Sequence, residues 1–217
     1  MPSLPSQSWK MDCDELFKSL ISLPKKERSL EVIINSIFQT YGGQLGKSNF
    51  IWGDSTPLNL KYVKEILLLF PQAKFIFLIR DGRDVVTSYK KGGIPDFGAL
   101  SHPMEAAKHW NKSIEALDYL SRMNACVSTA KYENLVTTPE KTLSEIAKFL
   151  STRLDEKMLL FHKKIPNLEF YRENYMKNLF LPLSDDFIGH DRQFYTEPDG
   201  VPVFRSLEKN LIRFGYL

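Results

Sequence analysis

An α/β fold with a parallel sheet flanked by helices is what this sequence predicts, on three observations. Lys74–Ile79 (KFIFLI) is a nearly unbroken apolar run of strand length, as expected for a strand buried on both faces of a parallel sheet. A second strand-like run follows at Ala125–Tyr132. Between the two lie segments with apolar residues at helical spacing, and strand–helix–strand alternation argues for a parallel arrangement with crossover helices. The chain has 217 residues, 43% of them apolar and 12% aromatic, enough for one domain with a sizeable core.

The elements follow in order. Residues about 10–22 carry Leu16, Phe17, Leu20 and Ile21 at helical spacing behind Asp12 and Asp14. Residues about 27–40 repeat the pattern with Leu30, Val32, Ile33, Ile34, Ile37 and Phe38, and the pair Gly42-Gly43 is expected to end that helix. Asn49–Trp52 is a short strand candidate. Pro57–Phe70 reads as a helix opened by proline at its first position. After the first strand, Asp81 to about Lys91 is helical and stops at Gly92-Gly93. Pro103 to about Met123 is a longer helix, Pro139–Leu150 and Asp155–Lys163 are two more, and Val203–Phe214 closes the chain. Pro166–Pro202 is dominated by aromatics and turn residues. Three regions are expected within one domain spanning residues 1–217: a helical segment 1–45, an α/β core 46–155, and a C-terminal helical region 156–217.

Several classes of function are excluded or disfavoured. Net charge is +3, which allows an anionic ligand but lacks the clustered basic stripes of a nucleic-acid binder. No run of 18 apolar residues exists, so no membrane span is expected. The start, MPSLPSQSWKMDCDEL, lacks a basic region followed by an apolar block and does not read as a secretory signal. Cys13 and Cys126 stand far apart without a CxxC partner and are expected to be free thiols of a cytoplasmic protein. No cluster of His, Cys, Asp and Glu has metal-ligand spacing, so no metal is expected.

The chemistry concentrates where the first strand ends. FIFLIRDGRDVVTS passes from apolar residues to Arg80-Asp81-Gly82-Arg83-Asp84 and then into a helix. Ligands of open parallel sheets bind beyond the carboxyl ends of the strands, and Arg80 stands there. Asp81 is placed to cap the helix, with Asp84 three residues on in a capping-box-like arrangement. The helix start offers N–H groups and a positive dipole end, Arg80 a planar fork of donors, and Ser88 a hydroxyl. The pattern points to an anion site, a phosphate above all. The same arginines would equally serve as partners of Asp81, Asp84 or a neighbouring helix.

This stretch resembles the 3′-phosphate-binding segment of the sulfotransferase family, enzymes that use 3′-phosphoadenosine 5′-phosphosulfate (PAPS). WGDSTP at Trp52–Pro57 resembles the WGDKTP element that precedes the segment in many relatives. HWNKSIEAL at His109–Leu117, AKYENLVTTPEKTLSEIAKFL from Ala130 and the terminal LIRFGYL resemble later family elements. RDGRDVVTS and the Trp-Asn-Lys helix are similar to the tyrosylprotein branch. The resemblance covers Phe50–Leu150 and the last dozen residues. It implies a P-loop-like sulfotransferase fold with PAPS or its product, 3′-phosphoadenosine 5′-phosphate (PAP), as cofactor. It implies that Arg80 and Ser88 hold the 3′-phosphate, that Tyr132 lies near the adenine, and that Arg83 adds positive field.

Three departures from the family pattern stand out. The Gly-Thr-Thr or Gly-Ser-Thr loop that grips the 5′-phosphosulfate has no counterpart upstream of Trp52. YGGQLGKSN (Tyr41–Asn49) only superficially resembles GxxxxGK[ST], since Tyr41 stands where the first glycine belongs and a helix precedes it. Ser55 replaces a lysine that in some relatives lies close to the transferred group. None of His102, His109, His162 and His190 occupies a family base position, and His190, in FIGHDRQFY, is the weak candidate for a general base. The fold is therefore expected to lack its first strand. The N-terminal helices or a second chain, as in a homodimer, would cover the surface so exposed. The expected function is transfer of a sulfuryl group from PAPS to a hydroxyl or amine of a small molecule or peptide, with no nucleic-acid or membrane partner. The alternative is an impaired or truncated homologue acting as a nucleotide-binding or protein-interaction module. The aromatics Phe170, Tyr171, Tyr175, Phe180, Phe187, Phe194 and Tyr195 would suit an acceptor pocket, but an ordinary core with aromatic filling is the preferred reading.

Overall fold

The computed structural model describes residues 11–92, 100–163 and 181–217. The chain divides into two compact units, Met1–Gln72 and Ala73–Leu217.

The first unit is helical. Helix α1 (Cys13–Ser22) starts where Asp12 accepts from the N–H groups of Asp14 and Glu15, satisfying donors that have no partner within the helix. The Arg28 guanidinium binds the carbonyls of Ile21 and Leu23 just beyond its last turn. Helix α2 (Leu30–Gln44) is capped by Ser29. It runs through Gly42-Gly43 instead of ending there, for a steric reason. A Cβ on Gly42 would stand 2.0 Å from the Phe50 ring, so this glycine admits an aromatic ring and does not end the helix. The turn at Gly46 (φ +70°) then closes α2, with Lys47 N–H bonded to the Gly42 carbonyl.

Asn49–Trp52 is not a strand. Trp52 is held by its side chain: it stacks on Phe38 at 4.1 Å, meets Phe70 edge-on at 5.6 Å, and donates from Nε1 to Asn35 Oδ1. Such ring pairs contribute beyond the area they bury, and they fix the segment without a strand partner. Asp54 then accepts from the Thr56 N–H and hydroxyl and from Asn59 Nδ2. Burial opposes its ionisation, but those hydrogen bonds outweigh burial and hold its carboxyl below the usual range. The expected helix Pro57–Phe70 resolves into a 3₁₀ turn, Pro57–Lys61, and helix α3 (Val63–Leu69).

The second unit holds the sheet. Strands β1 (Lys74–Ile79) and β2 (Cys126–Lys131) pair in parallel with Lys74 opposite Cys126 and Ile79 opposite Lys131. Among the described residues the sheet has these two strands. Helices α4 (Gly82–Gly92) and α5 (Pro103–Arg122) lie between them in sequence. After β2 come α6 (Tyr132–Thr137), which the sequence reading lacked, and α7 (Pro139–Phe149). Asp155–Lys163 forms two 3₁₀ turns, Glu156–Met158 and Phe161–Lys163, where a helix was expected. The last helix, α8, spans Gly200–Arg213 and so starts three residues earlier than expected.

The core is made by α4, α5, α8 and the turn before α8: Val86, Ala106, Ala107, Trp110, Ile114, Phe194, Tyr195, Val203, Leu207 and Leu211. A polar seam adds to it. Asn111 donates to the Ser206 carbonyl, and Asn210 donates to Asn111. Asp118 accepts both Nη groups of Arg213. No described helix is long and apolar enough to cross a membrane, and both cysteines are free and exposed.

Candidate functional site

The site grows from the end of β1. At Ile79 the chain leaves the sheet, and Arg80 and Asp81 form the two-residue turn into α4. The turn is tied down on several sides. The Arg80 carbonyl accepts from Trp110 Nε1 at 3.1 Å, and the Asp81 N–H donates to Glu133 Oε1 at 2.9 Å. A Cβ on Gly82 would meet three atoms of the Trp110 indole at 2.9–3.0 Å, so glycine is what lets α4 begin against that ring.

Asp81 caps α4 as expected, accepting the Arg83 N–H at 2.8 Å. It also binds the Arg83 side chain through both carboxylate oxygens. Arg83 Nη2 donates in addition to the Tyr216 carbonyl. That contact with Asp81, working against burial, raises the Arg83 pKa further. The second arginine is thus a partner of the turn and of the chain's end, the plainer of the two readings left open for it. Asp84, 1% exposed, does not reach back to the helix start. Its oxygens accept the N–H groups of Gly189 and His190 and Arg192 Nη1, at 2.8–3.1 Å. Arg192 Nη2 reaches Asp81 at 3.0 Å.

A strap of residues 184–192 is thereby fastened to the first turns of α4. Gly189 and Asp191 both have left-handed backbone, φ +79° and +53°. Arg80 meets this strap directly: its Nη2 donates to the Phe187 carbonyl at 2.6 Å, and its guanidinium lies 4.6 Å over the Tyr132 ring. Arg80 Nε is buried with no hydrogen-bond partner, a costly arrangement for a charged donor unless a ligand or water completes it. The structure brings Arg80 and Tyr132 together, with the strap beside them. Ser88 is exposed on α4, one turn beyond Asp84 and so on the same helix face.

His190 is exposed. Its N–H is held by Asp84 and its Nε2 contacts the Asp186 carbonyl within the strap. A carbonyl only accepts, so Nε2 carries the hydrogen in that contact and donates it to the backbone. His102 sits at the start of α5, His109 packs near Tyr89, and His162 lies in a 3₁₀ turn beside Phe161. Lys47 is exposed in the turn that closes α2, and Ser55 is exposed. Of the aromatics singled out near the C-terminus, Phe194 and Tyr195 are core and Phe187 belongs to the strap, whereas Phe170, Tyr171, Tyr175 and Phe180 fall outside the described residues. Among the described residues no group of His, Cys, Asp and Glu is assembled to hold a metal ion.

Sequence reasoning missed Arg192, Glu133 and the role of Asp84. Glu133 had a local signal, since it follows Tyr132 at the end of a strand. Arg192 had none, because its partners lie 108 and 111 residues away.

A family model described as "Sulfotransferase family" matches residues 6–156, more than half of the chain. Among curated proteins, the chain is 36% identical over 116 residues to a protein-tyrosine sulfotransferase of Drosophila melanogaster, covering 51% of this chain and 23% of that protein. It is 34% identical over 107 residues to protein-tyrosine sulfotransferase 1 of Danio rerio, covering 48% and 30%. The chain thus spans a quarter to a third of the length of these two relatives. Among solved structures, the sulfotransferase domain of the Synechococcus PCC 7002 olefin synthase superposes with a TM-score of 0.52 at 18% identity, covering 89% of this chain and 74% of that one. The sulfotransferase domain from the curacin biosynthetic pathway gives 0.51 at 19%, covering 94% and 83%. These two likenesses concern the fold.

Proposed function

The chain belongs to the sulfotransferase family, and from that premise we propose that it transfers a sulfuryl group from PAPS to a hydroxyl or amine acceptor. When bound, PAPS supplies an activated sulfur: its bond to the phosphate oxygen breaks as a bond to the acceptor oxygen or nitrogen forms, PAP leaves, and the acceptor proton passes to a base. Arg80 is the residue this chain would use to hold the 3′-phosphate, with Ser88 adding a hydroxyl from α4. Tyr132, the first residue of α6 just after β2, would border the adenine. The first α4 turn would contribute its positive dipole end. Arg83 stands behind this constellation as a support for Asp81, not as a ligand.

The single observation that carries the reading is Arg80 itself. It stands at the carboxyl end of a parallel strand, with one nitrogen on a main-chain carbonyl and another buried without a partner. A planar, permanently charged donor in that state fits a phosphate. The acceptor is proposed to be a phenolic hydroxyl, a tyrosyl peptide first, because the curated relatives are named for tyrosine sulfation.

The test is a calorimetric titration of PAP into the purified chain, with Arg80→Ala beside it. Loss of one charge-assisted contact costs about 1.5–3 kcal/mol, so the variant is expected to bind at least about tenfold more weakly. A folded chain that ignores PAP, or binds it equally with and without Arg80, overturns the reading. Tyrosyl peptides and simple phenols, incubated with PAPS, then separate peptide from small-molecule acceptors.

A further inference from the structure

We infer that Arg192 is a positioning residue for Arg80, acting through the strap of residues 184–192; the inference rests on the phosphate-binding reading of Arg80 given above. Two carboxylates, Asp81 and Asp84, are buried side by side on the first turn of α4, 4% and 1% exposed. Buried like charges are unfavourable unless each is paired. Arg83 neutralises Asp81 from one side. Arg192 bridges both, with Nη1 on Asp84 at 2.8 Å and Nη2 on Asp81 at 3.0 Å. A guanidinium does so with a separate nitrogen for each carboxylate, where an ammonium would have to share one nitrogen between them.

The bridge has a mechanical consequence. Arg192 is the last residue of the strap, and Asp84 also accepts the N–H groups of Gly189 and His190. Two residues further back is Phe187, whose carbonyl fixes Arg80 Nη2. The order of dependence is Arg192 to Asp84 and Asp81, these to the strap backbone, and the strap to the rotamer of Arg80. Remove Arg192 and Asp84 keeps two N–H partners beside an anion it repels, the strap loosens, and Arg80 loses the contact that orders it before a phosphate arrives. An arginine side chain immobilised in advance binds more tightly because its ordering cost is met during folding. Arg192 needs no contact with the ligand for this to work.

A double-mutant cycle on the full chain tests it, with PAP as probe and calorimetry as readout, on wild type, Arg80→Ala, Arg192→Ala and the double variant. Arg192→Ala is expected to weaken PAP binding about five- to tenfold, and to add less than about twofold once Arg80 is already alanine. Arg192→Lys, which keeps the charge but replaces the two-nitrogen fork by a single nitrogen, should fall between wild type and alanine. It serves as the first arm of a parallel cycle should the alanine variant melt below the working temperature. Losses that multiply in the double variant overturn the inference, as does an Arg192 variant that lowers the melting temperature while PAP affinity stays at wild type. If Arg80→Ala itself leaves PAP binding unchanged, it is the functional reading that falls, and this inference with it.

Discussion

Gly82 shows how far one residue sets the geometry of the site. Its missing Cβ is the space in which the Trp110 indole lies, and Trp110 in turn holds the Arg80 carbonyl. In an ordinary helix Gly→Ala gains roughly 0.5–1 kcal/mol from backbone entropy. Here the added methyl would press on a ring whose N–H is already committed, and overpacking a core typically costs about 1–3 kcal/mol. The steric effect is the larger, so Gly82→Ala is expected to lower the melting temperature by a few degrees and to weaken PAP binding by displacing Arg80. A melting curve checks the sign, and a variant that melts higher than wild type would mean that the indole has room to give. The same residue illustrates what the sequence conveyed. A glycine between Asp81 and Arg83 reads locally as a turn residue, and Gly82 instead opens α4 just after the turn. The identity of its neighbour, 28 positions along, could not be read from local pattern.

At the scale of elements, a buried tyrosine, Tyr195, and a half-buried one, Tyr216, tie the chain's C-terminal part to the start of α4 and to its neighbours Ile79 and Glu133. Tyr195 donates to the Arg83 carbonyl at 2.7 Å from the turn before α8, and burial pushes its hydroxyl up to about 12. Tyr216, just past α8, donates to Glu133, and burial followed by the Glu133 charge pushes it well above the ordinary phenol range. An acid whose folded pKa is raised binds more protons folded than unfolded above its unfolded pKa, roughly 10. Stability therefore falls with rising pH from about 10 upward and is complete below it. In an alkaline titration followed by tyrosinate absorbance, these two tyrosines are expected to ionise only as the fold opens, and Tyr216→Phe should move the alkaline transition to higher pH. Smooth titration of every tyrosine near 10 in the folded chain would contradict this. The elements themselves were unequally legible. Strands β1 and β2, and helices α4, α5 and α7, were legible from strand-like composition and helical spacing, but β1 is not buried on both faces as expected: Lys74, Ile76 and Leu78 are exposed and alternate with half-buried Phe75 and Phe77. Asn49–Trp52 has strand composition, but Trp52 finds rings at Phe38 and Phe70 instead of a strand partner. Gly42-Gly43 reads as a stop until the Phe50 ring is seen against Gly42. Arg80 was legible because its position after a strand is a local feature. Asp84 was misread as a local cap because its true partners are more than 100 residues away.

For the whole molecule, the question is whether a ligand held by a few residues registers in the stability of the fold. The elements around Arg80 are fastened by contacts of long sequence separation: Asp84 to the strap, Glu133 to Asp81, Arg83 to Tyr216. A ligand that binds only when all of these are in place must stabilise the unit that contains them. At a PAP concentration about 100 times Kd the gain is about 2.7 kcal/mol. A domain of this size moves by about 2–4 °C per kcal/mol, so the expected rise in melting temperature is roughly 5–11 °C. With Arg80→Ala binding tenfold more weakly, the same concentration is only about 10 times its Kd and the gain falls to about 1.4 kcal/mol, a rise of roughly 3–6 °C. The rise each chain shows in PAP, measured from its own ligand-free melting temperature because Arg80→Ala also removes the Phe187 and Tyr132 contacts, should therefore differ by several degrees. Differential scanning calorimetry over a PAP series decides the matter. Parallel curves for the two chains would mean that PAP stabilises through contacts other than Arg80, and the phosphate site would then have to be sought elsewhere on the fold.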